Sequence, residues 1–355
     1  MIPTPKIAML LIQRRKLSAV LRRGQSMRSD EGGHLMPKNG TYWFRGIAAV
    51  MVILSHYAEW WTWFTPIEGN GAIFQLAFSK LGIYGVDIFF LLSGYAMVIS
   101  LGQNPMNKGF IWKRIKNTYI PYFIVVGIIE LISEGFVSLQ DFIYFASGYD
   151  YWYMFVLFLF YFGFIIIYAI FRSKGLRVVF FCIFTYLFSR ILYNKGMNDF
   201  WYVSNVAFAL GVIAGEYENR FKKMIDKLWL PMVAILGAGM IPVIQWGLDG
   251  GVNFGQNPED YQLPFQIGAT VVWTLLVLVL SSKCHIKEKI FAFLGKYSLY
   301  LYLTHTYVFM QCVNNLKCSY AIRFAASAVI TVVLSFACCQ AITATGKLIS
   351  KQKSG

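Results

Sequence analysis

Long apolar runs, interrupted by short gaps that hold most of the charge, make up this chain from about residue 42 onward. The runs are continuous rather than alternating. That predicts helices and argues against a membrane β-barrel, whose strands alternate with a period of two. One crossing of a bilayer needs about 20 predominantly apolar residues. Ten such segments are readable, at 43–63, 81–101, 118–135, 151–171, 176–193, 199–217, 228–246, 263–281, 290–312 and 321–345. The third is the most polar, with Glu130 and Glu134 inside it, and 141–146 reads as a short re-entrant or interfacial piece. The expectation is an all-α polytopic transmembrane helical bundle of about ten spans over 42–346, between a basic, disordered tail at 1–41 and a short tail at 347–355.

Composition excludes the soluble alternatives. Hydrophobic residues make up 57% and charged residues 14%, against about 45–50% and about 25% in globular chains. A soluble fold of this length has no way to hide that surface. The net charge of +15 would suggest nucleic acid in a soluble protein, but here it sits in the gaps. One set of gaps holds Lys108, Lys113, Arg114 and Lys116; Arg172, Lys174 and Arg177; Arg220, Lys222, Lys223 and Lys227; and Lys283, Lys287 and Lys289. The opposite set holds only Lys80, Arg190, Lys195, Lys317 and Arg323. By the positive-inside rule the first set and both termini face the cytoplasm, as in an integral plasma (inner) membrane protein, with membrane lipid and not nucleic acid as its surroundings. The basic tail is open to two readings, a tether to anionic lipid or a disordered segment upstream of a start at Met36, and its lack of periodicity favours the second. Cys182, Cys338 and Cys339 fall inside spans as packing residues, and Cys284 lies in a basic gap. Cys312 and Cys318 flank a short outer loop, where pairing is open to them in an oxidising compartment. No metal-ligand spacing, phosphate-cradling loop or nucleophile elbow is present.

Ionisable groups at bilayer depth cost about 2.5–3.5 kcal/mol on insertion scales, so those that occur are the places to look for chemistry. In the first span Arg45 and His56 are eleven residues apart, which puts them on one helical face about 16 Å apart along the axis. Glu59 follows one turn later and is placed to orient the ring. Asp87 in the second span lies at a comparable depth and is a second group able to fix the tautomer of His56. The basic gap from Lys108 to Tyr122 suits a phosphorylated ligand, and equally suits plain positive-inside charge. In the ninth span Ser298, Tyr302 and His305 share one face, either lining a wet cavity for a sugar or forming an interhelical hydrogen-bond ladder. For His56 itself, a bundle-stabilising hydrogen bond is the competing role.

Four pieces together resemble the acyltransferase-3 family of polytopic membrane acyltransferases. They are Arg45-Gly46…His56; Gly85-Val86-Asp87…Ser93-Gly94-Tyr95; Lys113-Arg114…Pro121-Tyr122; and Leu294-Gly295-Lys296…Ser298…Tyr302…His305. Trp152-Tyr153, opening the fourth span, adds to the resemblance. It covers about 42–345 and implies transfer of an acyl group, usually acetyl, from a cytoplasmic thioester carrier to sugars of the cell envelope. His56 matches the family's essential histidine and would be the general base or acyl relay, with Asp87 or Glu59 stabilising its charged form. Arg114 matches the first position of the family's basic motif, which implies a place near the phosphates of acetyl-CoA, together with Arg45, Lys113 and Lys116. Thr118 stands where the family has its second basic residue, and Tyr42 where it has an acidic one. Trp152, Tyr153, Ser298, Tyr302 and His305 are the expected substrate-binding residues, for a glycan or lipid-linked glycan. The competing readings are a transporter or flippase of a lipid-linked glycan and a non-catalytic scaffold. The first is weakened because the Arg–His pair has no counterpart five spans later.

Overall fold

The computed structural model describes residues 33–64, 75, 77–101, 108–133, 135–248, 258–283 and 289–352. The described residues are helical with short connections. Most of the expected N-terminal tail, Glu134, Cys284, Lys287 and the last three residues lie outside them. The helices are α1 (Lys38–Phe64), α2 (Leu81–Leu101), α3 (Lys108–Arg114), α4 (Ile120–Ser133), α5 (Leu139–Ser147), α6 (Trp152–Ile170), α7 (Lys174–Asn194), α8 (Asn205–Glu216), α9 (Glu218–Leu248), α10 (Pro258–Lys283), α11 (Lys289–Lys296), α12 (Ser298–Asn315) and α13 (Tyr320–Gln352). Among the described residues seven helical segments are long and apolar enough to cross a membrane, at Leu81–Leu101, Lys108–Ser133, Trp152–Ile170, Lys174–Asn194, Glu218–Ile244, Gln262–Lys283 and Tyr320–Gly346. This is a multi-pass, all-helical membrane protein.

The other three expected spans fall on α1, α8 and α12, and each departs from a plain apolar helix. The segment at 199–217 opens with a 3-10 turn, Asp199–Trp201, and leaves α8 only 12 residues, about 18 Å of helix. Buried polar groups make that opening: Asn205 Nδ2 donates to Trp201 O (3.2 Å) and Ser189 Oγ (3.1 Å), and Ser189 donates to Tyr202 O (2.9 Å). The segment at 290–312 is broken at Tyr297 (φ −105°, ψ 9°) into α11 and the 18-residue α12. α1 has the length, with 27 residues, but carries Arg45, His56 and Glu59.

These elements form the centre of the bundle. α2 packs between α1 and α8, α11 crosses α1, and α12 stands between α1 and α13. Two crossings need glycine. A Cβ on Gly295 would lie 1.7 Å from Tyr42 O, and one on Gly46 would lie 1.9 Å from Phe291 O, so α1 and α11 meet backbone to backbone. A Cβ on Gly94 would lie 2.2 Å from Phe208 O, and one on Gly211 2.2 Å from Leu91 O, which brings α2 against α8 in the same way. Such close backbone approach through small residues is a main source of helix association in lipid. Aromatic side chains fill the space beside it, with Phe90, Phe160, Phe164, Phe181 and Phe208 in one buried cluster. The outer helices instead expose Leu131, Ile132, Ile235 and Val333, as lipid-facing surfaces do. α5 is a short helix closed by a Ser138–Asp141 capping box and by Gly148 at φ 86°.

Two local features depart from the regular helices. Pro121 has no N–H to give to the carbonyl four residues back. The chain passes through a π-helical turn, Ile115–Tyr119, just before it, where Ile120 N–H reaches Ile115 O. Within the segment expected as a tail, Leu35 and Met36 are buried at 1% and 3% exposure. Glu218 holds this strap, accepting from Leu35 N–H at 2.8 Å and from the Tyr95 hydroxyl.

Candidate active site

His56 on α1 meets His305 on α12. The Nδ1 of His56 is 2.7 Å from Nε2 of His305, and the rings are nearly parallel, with centroids 4.9 Å apart and 9° between planes. Trp60, one turn on from His56, lies parallel to the His56 ring, with centroids 5.2 Å apart and 8° between planes. Phe309, one turn on from His305, stacks on Trp60 at 4.8 Å. The i,i+4 spacing on both helices thus sets Trp60 and Phe309 against the edge-to-edge pair of imidazoles. His305 is 1% exposed, and its Nδ1 lies 2.8 Å from Tyr302 O and 3.1 Å from Leu301 O. Among the described residues His56 Nε2 has no hydrogen-bond partner.

A cavity of about 230 Å³ opens nearby, lined by residues of α1, α2, α6 and α12 and the α3–α4 junction. Arg45 and Arg114 face it, and no carboxylate lines it. The Arg114 guanidinium is held by the Ala96 carbonyl (3.3 Å), the Met97 sulfur (2.9 Å) and the Ser100 hydroxyl, and lies 4.9 Å from the Phe110 ring centroid. Arg45 has no ion-pair partner among the described residues. Two cations bordering a small cavity, neither with a carboxylate partner among the described residues, make a site for an anion with several oxygens. Ser93, Asn117, Thr118, Tyr161 and Ser298 add hydroxyl and amide groups, and Asn117 and Thr118 come from the π turn. Tyr302 belongs to both regions. Its ring borders the cavity, lies 5.9 Å from the His305 ring and 5.2 Å from Tyr153, and its carbonyl is the nearer acceptor for His305.

The structure therefore brings Arg45, Arg114, Tyr153, Ser298 and Tyr302 together on one cavity. His305 meets that cavity through Tyr302, and neither His305 nor His56 is among its lining residues. The remaining expected residues lie elsewhere. Asp87 is fully buried but faces Ser204, the residue before α8, and Thr270 of α10, with no hydrogen bond to either carboxyl oxygen among the described residues. It does not hold the His56 ring, because the side of α2 that carries it turns toward α8 and α10. Glu59 is exposed, on the side of Lys80 and Asp199. Lys113 and Lys116 are exposed and off the cavity lining. Trp152 packs on Phe200 and Trp201, at 5.3 and 6.2 Å between centroids. Cys312 and Cys318 are free thiols. Trp60 and Thr118 were not among the expected site residues; the i,i+4 spacing from His56 was the available signal for Trp60. Among the described residues no group of three His, Cys, Asp or Glu is placed to hold a metal ion.

A family model described as an acyltransferase domain, family 3, matches residues 42–344. The chain belongs to this acyltransferase family. The matched stretch contains every residue that lines the cavity, and His56 and His305. No curated protein and no solved structure matches the chain. The protein is thus a membrane acyltransferase, and the cavity, with the paired histidines joined to it through Tyr302, is its candidate active site.

Proposed function

We propose that this membrane acyltransferase moves an acetyl or other short acyl group from acyl-CoA to a hydroxyl of a cell-envelope polysaccharide or its lipid-linked precursor, with His56 as general base. The observation that carries this reading is a carboxylate-free cavity bordered by Arg45 and Arg114 and linked through Tyr302 and His305 to His56, whose Nε2 has no hydrogen-bond partner among the described residues. The phosphates of the donor pair with the two guanidiniums. The basic gaps, and with them both termini, face the cytoplasm of an inner membrane, so the donor enters from that side. Its thioester arm extends past Tyr302 toward the histidines. The acceptor hydroxyl arrives from the opposite side, where Trp60 and Trp61 lie.

The chemistry follows from the groups present. His56 takes the hydroxyl proton as the oxygen attacks the thioester carbonyl. The carbon–sulfur bond then breaks, and the thiolate leaves with the proton that His56 returns. General-base help of this kind is worth about 10²–10⁴-fold. Mild alkali should release acetate from the envelope glycan of expressing cells and not of cells lacking the protein. Transport without transfer predicts no ester in either.

A further inference from the structure

The two histidines are in contact, and their mutual hydrogen bond has a direction. His305 Nδ1 sits within hydrogen-bond distance of two backbone oxygens, Tyr302 O at 2.8 Å and Leu301 O at 3.1 Å. A carbonyl oxygen only accepts, so this nitrogen carries the hydrogen. In the neutral ring Nε2 of His305 then holds the lone pair and must accept at the 2.7 Å contact. The donor there is His56 Nδ1–H. The hydrogen of neutral His56 is thereby placed on Nδ1 and its lone pair on Nε2.

We propose that His305 is a positioning residue: through its ring it connects two α12 backbone carbonyls to His56, fixes His56 as the Nδ1–H tautomer, and makes Nε2 the basic atom. This rests on the reading of His56 as base and adds which atom acts and what aims it. The part that a carboxylate would play beside a catalytic histidine is taken here by a second, neutral imidazole. Its own orientation is set by the helix backbone and by the edge-to-edge contact with His56, whose ring lies within 9° of its plane. When Nε2 takes the hydroxyl proton, the new positive charge lies against the Nε2 lone pair of His305, which accepts the Nδ1–H bond more strongly. Return of the proton from Nε2 to the thiolate restores the starting pair, so the couple neither gains nor loses a proton over one turnover. Thr306 Oγ1, 3.5 Å from His305 Nε2, is too distant to compete with the 2.7 Å bond.

Two measurements on the full-length protein test this. The chain has four histidines, so selective nitrogen-15 labelling of histidine gives a short spectrum, assigned by the signals lost in His56→Gln and His305→Gln. The expected result is hydrogen on Nδ1 and a lone pair on Nε2 for both residues. A His56 ring with hydrogen on Nε2 overturns the proposal, whatever the activity. The second measurement compares His305→Gln, whose amide oxygen still accepts from His56, with His305→Phe, which fills the space without an acceptor. The Gln protein should keep kcat within about tenfold, and the Phe protein should lose about 10²-fold, with KM for acyl-CoA within twofold in both. Equal kcat in the two variants overturns the positioning role. Full activity of His56→Ala would instead sink the base assignment and leave the tautomer result standing. Should the Phe protein fail to fold, the spectrum and the Gln variant decide.

Discussion

Replacing Arg45 by Gln is the cleanest perturbation of the proposed donor site. Arg45 borders the cavity and has no ion-pair partner among the described residues, whereas Arg114 is also tied to Ala96, Met97 and Ser100. Its loss should therefore leave the fold intact, and it even removes a like charge from beside Arg114. What it removes on binding is a charge-assisted hydrogen bond to phosphate, worth about 1.5–3 kcal/mol. At about 1.4 kcal/mol per tenfold, the dissociation constant of acyl-CoA should rise about 10- to 150-fold. Calorimetric titration of the purified protein with acyl-CoA reads this directly, and KM should follow while kcat moves less. Lys113→Gln and Lys116→Gln are the controls. They carry the same charge, in the basic gap that holds Arg114, but lie exposed and off the cavity lining, where water and salt screen them, so each should shift affinity less than about twofold. Unchanged affinity in Arg45→Gln, or an equal loss in the two lysine variants, would refute the assignment of the cavity to the donor phosphates.

Three further outcomes follow from the same geometry. Thr118→Arg places a third cation on the cavity wall and should tighten acyl-CoA binding about 3- to 10-fold by a single charged contact, read in the same titration. Gly295→Ala puts a methyl group 1.7 Å from Tyr42 O; overpacking costs of at least about 1–3 kcal/mol should appear as a lower Tm in detergent and less folded protein in the membrane. Glu216, 4% exposed in its side chain and 3.1 Å from Arg177, holds α8 to α7, and Glu216→Ala leaves that guanidinium without its partner, at a cost of about 3–5 kcal/mol, measured by thermal unfolding.

The apolar runs and the motif residues were readable because each depends on a single helix. The Arg45–His56 alignment is a matter of helical period, and α1 delivers both onto the site. What was not readable depends on contacts between helices. His56 and His305 are 249 positions apart, and nothing in the periodicity of either span says that these two faces meet. Asp87 has the expected depth but the other face of α2, turned to Ser204 and Thr270. The π turn that brings Thr118 to the cavity has a local cause in Pro121, yet which side chains it presents depends on how α3 and α4 pack. The shortening of α8 and the break before α12 come from buried polar and glycine contacts at 189–205 and 295, which an average of hydropathy passes over. Burial of Leu35 and Met36 follows from a partner, Glu218, some 183 positions away.

The central claim is that acyl transfer runs through the imidazole of His56. The direct test is to give purified protein, reconstituted in lipid, a labelled acetyl thioester and envelope glycan, and to compare the unaltered chain with a His56→Ala variant whose thermal unfolding and acyl-CoA binding are unchanged. The expected result is labelled ester on the glycan from the unaltered protein, with transfer by the variant reduced about 10²-fold or more. Labelled glycan formed at the same rate by both would contradict the account.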